Sequence, residues 1–250
     1  LAFAGTGANV LGLGTMLGPV EAVVCAAGAH VAVDEAGAAE RILGAKVIEL
    51  PSPDGKLRPE QLDAVAHLRG SEHHVQPGVV SITQSTELGA VYTPDEVTAI
   101  CTRAHEAGMR VHMDGARIAN AVAAQGGTVQ TLRAFTVDAG VDVVTFGGTK
   151  NGLLGGDAVV YLNTELARSA RFVRKQVTQL ASKMRFVAAQ FTALLQDDLW
   201  ISLAAHSNAM ATLLHARFGL TVTRGGLVHA VQRAARQAQP RYAALCVQVR

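Results

Sequence analysis

Short apolar, β-branched runs separated by helix-compatible stretches constrain this chain more than any other feature. Ala22-Val23-Val24-Cys25, Lys46-Val47-Ile48-Glu49-Leu50 and Val79-Val80-Ser81-Ile82-Thr83 have strand length and are bounded by turn signals. So do Arg110 to Met113, Val141 to Phe146 and Ala158 to Leu162. The segments between them read as helices. Asn9 to Leu17 is apolar and follows Gly5-Thr6-Gly7. Glu60 to Leu68 is amphipathic and follows Pro59, whose fixed φ suits a first helical position. Thr93-Pro94-Asp95-Glu96 has the form of a capping box and opens a helix that ends near Gly108. Thr164 to about Phe218 is helical, with breaks near Gln179 to Ser182 and at Asp197-Asp198. Strands alternating with helices at this spacing predict an α/β fold, a mainly parallel sheet with helices on both faces.

Composition narrows the class. The chain has 250 residues, 49% hydrophobic and 17% charged, enough for one large domain or for one domain plus part of a second. No run of about 18 apolar residues occurs, so no membrane span or membrane partner is expected. Cys25, Cys101 and Cys246 are scattered and odd in number, which fits a reducing, cytoplasmic setting rather than a disulfide framework. Leu1-Ala2-Phe3-Ala4 reads as the end of a buried strand, and the chain is expected to be a fragment. The net charge of +2 is uneven: after Asp198, the last acid, come six arginines from Arg217 to Arg250. A basic arm for nucleic acid is one reading. An incomplete or out-of-register end is the preferred reading, and no nucleic-acid partner is expected.

Three segments fall where an open α/β sheet places its ligands, at the carboxyl ends of strands. Gly5-Thr6-Gly7-Ala8-Asn9 opens the first helix, where glycines and free N–H groups favour an anion such as phosphate; an ordinary strand-to-helix turn reads the same way. Arg110-Val111-His112-Met113-Asp114-Gly115-Ala116-Arg117 brings an acid to a strand end and an arginine just beyond it. There an ionised Asp114 suits a protonated pyridine nitrogen, or simply caps a helix from Ala116. His112 and Asp114 have metal-like spacing but lack further ligands nearby, so no metal is expected. In Phe146-Gly147-Gly148-Thr149-Lys150-Asn151-Gly152, the glycines leave room for a flat ligand beside a lysine. Partial burial lowers the pKa of such a lysine and suits it to Schiff-base chemistry.

In this order, the three segments resemble those of low-specificity threonine aldolases, of the beta-eliminating lyase group. The resemblance extends through Ala26 to Glu35, Thr83 to Gly89 and Gln179 to Arg185, and runs to about Phe218. It implies fold type I, the aspartate-aminotransferase-like architecture of pyridoxal-phosphate (PLP) enzymes, with a truncated small domain. Residues 1–217 would form the PLP-binding large domain, and residues 218–250 a divergent or incomplete start of the small one. Lys150 would carry the cofactor as a Schiff base, Asp114 would hold its pyridine nitrogen, and Gly5, Thr6 and Gly7 its phosphate. His30 would stack on the ring and Arg117 would bind the substrate carboxylate. Glu87 stands where some family members carry a histidine near the substrate hydroxyl. Lys175 reads either as a surface lysine or as one that reaches a neighbouring subunit.

The implied reaction is cleavage of L-threonine, allo-threonine and similar β-hydroxy-α-amino acids to glycine and an aldehyde, in a homodimer or homotetramer. Departures from the family are equally specific. Its N-terminal arm and second carboxylate-binding arginine find no counterpart in these 250 residues, and beyond Phe218 the resemblance stops, so a shifted reading frame or a divergent end is expected. The alternatives are a related PLP β-eliminating lyase and an inactive fragment. A nucleotide-binding module would leave Lys150 without a purpose.

Overall fold

Alternating side chains along the strands build two hydrophobic layers, one on each face of a single six-stranded sheet. The computed structural model describes residues 1–218. In chain order the elements begin with helix α1 (Gly5–Met16), strand β1 (Glu21–Ala26), helices α2 (His30–Val33) and α3 (Ala38–Leu43), and strand β2 (Val47–Leu50). A 3-10 helix (Pro59–Leu68) leads into β3 (Gln76–Thr83), α4 (Pro94–Glu106) and β4 (Arg110–Gly115). Helices α5 (Ile118–Ala124) and α6 (Val129–Phe135) precede β5 (Val143–Gly147), a 3-10 turn (Thr149–Asn151) and β6 (Asp157–Tyr161). A further 3-10 turn (Thr164–Ser169) opens the helical end: α7 (Ala170–Gln176), α8 (Arg185–Leu195) and α9 (Leu199–Phe218).

The strand order is β2-β1-β3-β4-β5-β6. All neighbours are parallel except β5 and β6, which run antiparallel. On one face Val23, Cys25, Val79 and Val143 pack with Leu13 and Met16 of α1. On the other, Val24, Val80, Ile82, Val111, Met113 and Val144 pack beneath α4, α5 and α9. Phe146 joins this second layer, with its ring centroid 5.5 Å from that of Trp200. Both faces are thus covered, as the near-continuous apolar runs require.

Most expected elements form, with small shifts at their ends. The Thr93 box is complete: Thr93 Oγ1 accepts the Glu96 N–H at 3.2 Å, and Glu96 Oε2 accepts the Thr93 N–H at 2.8 Å. Two expectations are corrected. The segment after Pro59 is a 3-10 helix, in which Leu62 and Val65, three residues apart, are the buried positions. That spacing matches three residues per turn. Leu1 to Ala4 is not a buried strand: Ala2 forms one antiparallel bridge to Asp157, while Phe3 and Ala4 are exposed. Helix α9 reaches Phe218, so the expected boundary at 217/218 sits at its last described turn, and residues 219–250 lie outside the described ones.

Candidate active site

The strand order reverses between β1 and β3, and ligands of open α/β sheets sit outside the carboxyl ends of strands at such a point. A cavity of about 170 Å³ lies at this end of the sheet. Gly5, Thr6, His30, Glu87, Asp114, Arg117 and Lys150 all line it, so residues scattered over more than half the sequence converge. Gly7 does not line it, because Gln179 occupies the space a Cβ would take there. Lys175 is exposed on α7, outside the cavity wall.

The amino end of α1 forms one wall. An α-helix leaves its first N–H groups without partners inside the helix. Ala4, at the N-cap, offers no side-chain cap, and no acid occupies the first turn. The Gly5–Gly7 segment therefore presents donors, and the positive end of the helix dipole, to an anion. The space beside Gly5 is open.

Asp114 stands level with Thr83 of β3 and Thr145 of β5. It is buried, and its Oδ1 accepts the Ala116 N–H at 3.0 Å while its Oδ2 accepts from Asn9 Nδ2 at 2.8 Å. It does not cap the following helix, which starts at Ile118 with Arg117 at its N-cap. His112, on the same face, lies beneath α1, with Nδ1 3.0 Å from Ser81 Oγ and Nε2 3.1 Å from Thr145 Oγ1. Burial pulls its pKa down, so it is neutral with both ring nitrogens engaged. The spacing that looked metal-like thus belongs to a hydrogen-bonded core histidine.

Asn9 and Glu35 were not singled out from the sequence. Asn9 Nδ2 donates to both Asp114 and Glu35 Oε1, each at 2.8 Å, and His30 Nδ1 lies 3.0 Å from the same Glu35 oxygen. Atoms of His30, Glu35 and Asp114 come within 4.8 Å of one another, and it is the Asn9 amide that bridges the two carboxylates. The hydrogen bond to Glu35 raises the His30 pKa against the opposing effect of burial.

Glu87 and Arg117 form another part of the wall. Glu87, which could as well have been a solvated loop carboxylate, is 7% exposed. Its Oε1 accepts the His30 backbone N–H at 2.8 Å, and its Oε2 is buried without a partner. Burial, and then the negative charge of Asp114, raise its pKa. Arg117 is 5% exposed, and its Nε and Nη2 are also buried and unpartnered. Buried guanidinium donors without acceptors are costly, and two of them aligned suit a carboxylate.

Lys150 keeps a solvent-exposed side chain, yet crowding by protein lowers the pKa of its amine and the Arg117 charge lowers it further. Its loop is tied down on both sides. Asp157, which the sequence did not flag, accepts the Gly148 N–H at 3.0 Å and the Thr149 hydroxyl at 3.1 Å. Asn151 Nδ2 donates to the Trp200 carbonyl at 3.0 Å. The glycines before Lys150 do not make room for a flat ligand. A Cβ on Gly147 would run into the Ala116 carbonyl, and one on Gly148 would lie 2.6 Å from the Gly156 oxygen. They let backbone segments approach each other, which sets the height of the Lys150 turn.

The beta-eliminating lyase family model matches residues 1–236. The chain belongs to this family. The match passes Phe218, where the resemblance read from the motifs stops. A low specificity L-threonine aldolase from a Pseudomonas species is 46% identical over 214 residues, 85% of this chain and 61% of that relative. The Pseudomonas aeruginosa low specificity L-threonine aldolase is 44% identical over the same shares. The chain thus spans about three-fifths of the length of these curated relatives. Among solved structures, Leishmania major threonine aldolase superposes with a TM-score of 0.81 at 36% identity, covering 86% of this chain and 62% of that one. A mutant aspartate aminotransferase from Thermus thermophilus gives a TM-score of 0.64 at 15% identity, covering 90% and 61%. This likeness shows that the fold is the fold-type-I, aspartate-aminotransferase-like one.

Proposed function

We propose that this chain is the cofactor-carrying part of a pyridoxal 5′-phosphate-dependent carbon–carbon lyase. Its reaction would be cleavage of L-threonine, allo-threonine and similar β-hydroxy-α-amino acids to glycine and an aldehyde. The observation that carries the reading is the convergence of Lys150, Asp114 and Arg117 on one cavity with the uncapped start of α1. The names of the Pseudomonas and Leishmania relatives support it.

The residues fit the cofactor's chemistry. Gly5 and Thr6 offer backbone N–H groups to a phosphate, with Gly7 contributing at most its N–H because Gln179 packs over its Cα. Lys150, with its lowered pKa, is the amine to join the cofactor's carbonyl carbon. Asp114, oriented by Asn9 and Ala116, is the carboxylate to face the pyridine nitrogen. When bound, the cofactor supplies an electron sink for the carbanion left by bond cleavage.

The chain's own groups do the rest. His30 would stack against the ring of the bound cofactor. Arg117 binds the substrate carboxylate through the two donors that lack partners within the protein. Glu87 takes the β-hydroxyl proton as the Cα–Cβ bond breaks, since its Oε2 is the unpartnered carboxylate oxygen at the cavity wall. We assign the working enzyme to the cytoplasm and to a homodimer or homotetramer. No helix of the described residues is long and apolar enough to cross a membrane.

Product analysis tests the reading. The full-length protein, incubated with pyridoxal 5′-phosphate and L-threonine, is expected to release glycine and acetaldehyde in equal amounts. Ammonia with a 2-oxo acid would instead indicate a β-eliminating lyase, and no turnover would contradict the reading.

A further inference from the structure

Glu35 sits where the proposed mechanism has no use for it, and its surroundings are unusual for a merely structural carboxylate. Its side chain is fully buried. All its hydrogen bonding passes through Oε1, which meets Asn9 Nδ2 at 2.8 Å and His30 Nδ1 at 3.0 Å. Its Oε2 is buried with no partner. A buried carboxylate satisfied on one side only costs stability, so packing alone does not account for it. The backbone beyond it is also held in an uncommon form. Ala36 has φ 52° and Gly37 φ 69°, two successive left-handed residues. For alanine that conformation is sterically costly, and tertiary structure must hold it in place.

We infer that Glu35 is a positioning residue: it fixes the imidazole of His30 and the amide of Asn9, and through Asn9 it couples the ring-stacking group to the carboxylate of Asp114. The inference rests on the cofactor reading above and gives His30 and Asp114 a shared support. The Asn9 amide spends its two N–H donors on the two acids, so its orientation is set by both. His30 then turns its Nδ1–H to Glu35 and leaves its ring face and Nε2 for whatever lies in the cavity. The charged groups facing His30 are Glu35 from its own turn, Asp114 from β4, Lys150 from the loop after β5, and Glu87, whose carboxylate holds the His30 backbone N–H. Glu35 raises the His30 pKa most, Asp114 adds to it, and Lys150 opposes.

The test is a histidine NMR titration of the full-length protein without cofactor, with the His30 signal assigned by its loss in His30→Gln. In the unsubstituted protein His30 is expected to titrate above the ordinary histidine value of about 6.5. In Glu35→Gln, which keeps the shape and removes the charge, the midpoint should fall by about one pH unit or more. Loss of packing alone would not produce that fall. A midpoint unchanged by Glu35→Gln would overturn the inference. So would a His30 in the unsubstituted protein that titrates at or below 6.5, which decides the matter even where the variant does not fold. Pyridoxal 5′-phosphate uptake, measured in the same samples, separates the two claims. A protein with the shifted His30 but no uptake would support the Glu35 coupling and overturn the cofactor reading.

Discussion

Glu87 shows how one buried side chain links stability to chemistry. Its carboxyl holds a proton more tightly in the folded protein than in the unfolded chain, because burial and Asp114 both disfavour the anion. The folded state therefore binds more protons between the two pKa values, and stability falls as pH rises through that window. At neutral pH, Glu87→Gln is expected to stabilise the protein by about 1 kcal/mol in chemical denaturation, while lowering kcat by about 100-fold. It should also remove the acid-side limb of the pH–rate profile, which reports the base losing its proton. A variant with unchanged kcat would exclude Glu87 as the proton acceptor. Asp114, Arg117 and Lys150 were legible as site candidates because each stands at or just beyond a strand end, a position that local pattern reveals. Asn9, Glu35 and Asp157 were not, since no local pattern shows which groups they meet: Asn9 reaches Asp114 across 105 positions, and Asp157 reaches Gly148 because β6 folds back along β5. No periodicity encodes such a meeting.

Among the elements, α4 is where local sequence and observed structure agree most closely. The reciprocal bonds of Thr93 and Glu96 are reinforced by Lys56, whose Nζ lies 2.6 Å from Glu96 Oε2. Thr93→Ala is expected to cost about 1 kcal/mol in the same denaturation experiment, with site chemistry unchanged because α4 does not line the cavity. A cost near zero would mean that the box forms without contributing. The segment after Pro59 was read with its helical nature right and its winding wrong. Leu62 and Val65 satisfy i, i+3 spacing, which suits either helix, and only tertiary packing chose the tighter one. The glycines at 147 and 148 were read as leaving room for a flat ligand, but what lies against them is protein, the backbone of Ala116 and Gly156 included. A glycine's missing Cβ reveals crowding without saying by what.

At the scale of the whole molecule, the alternation of strands and helices determines most of the topology. Parallel strands need crossovers, crossovers cover both faces, and the reversal of order between β1 and β3 opens the crevice where the site residues gather. The antiparallel β6 was not legible, because an apolar run of five residues carries no direction. Its consequence is local and specific: it brings Asp157 level with Gly147, beneath the Lys150 turn. A cofactor carried on Lys150 is open to direct chemical trapping. The full-length protein is incubated with pyridoxal 5′-phosphate, reduced with borohydride, digested and mapped by mass spectrometry. A reduced cofactor is expected on the peptide containing Lys150, and none on that segment in Lys150→Ala. A stable adduct confined to another lysine, or no adduct at all, would contradict it.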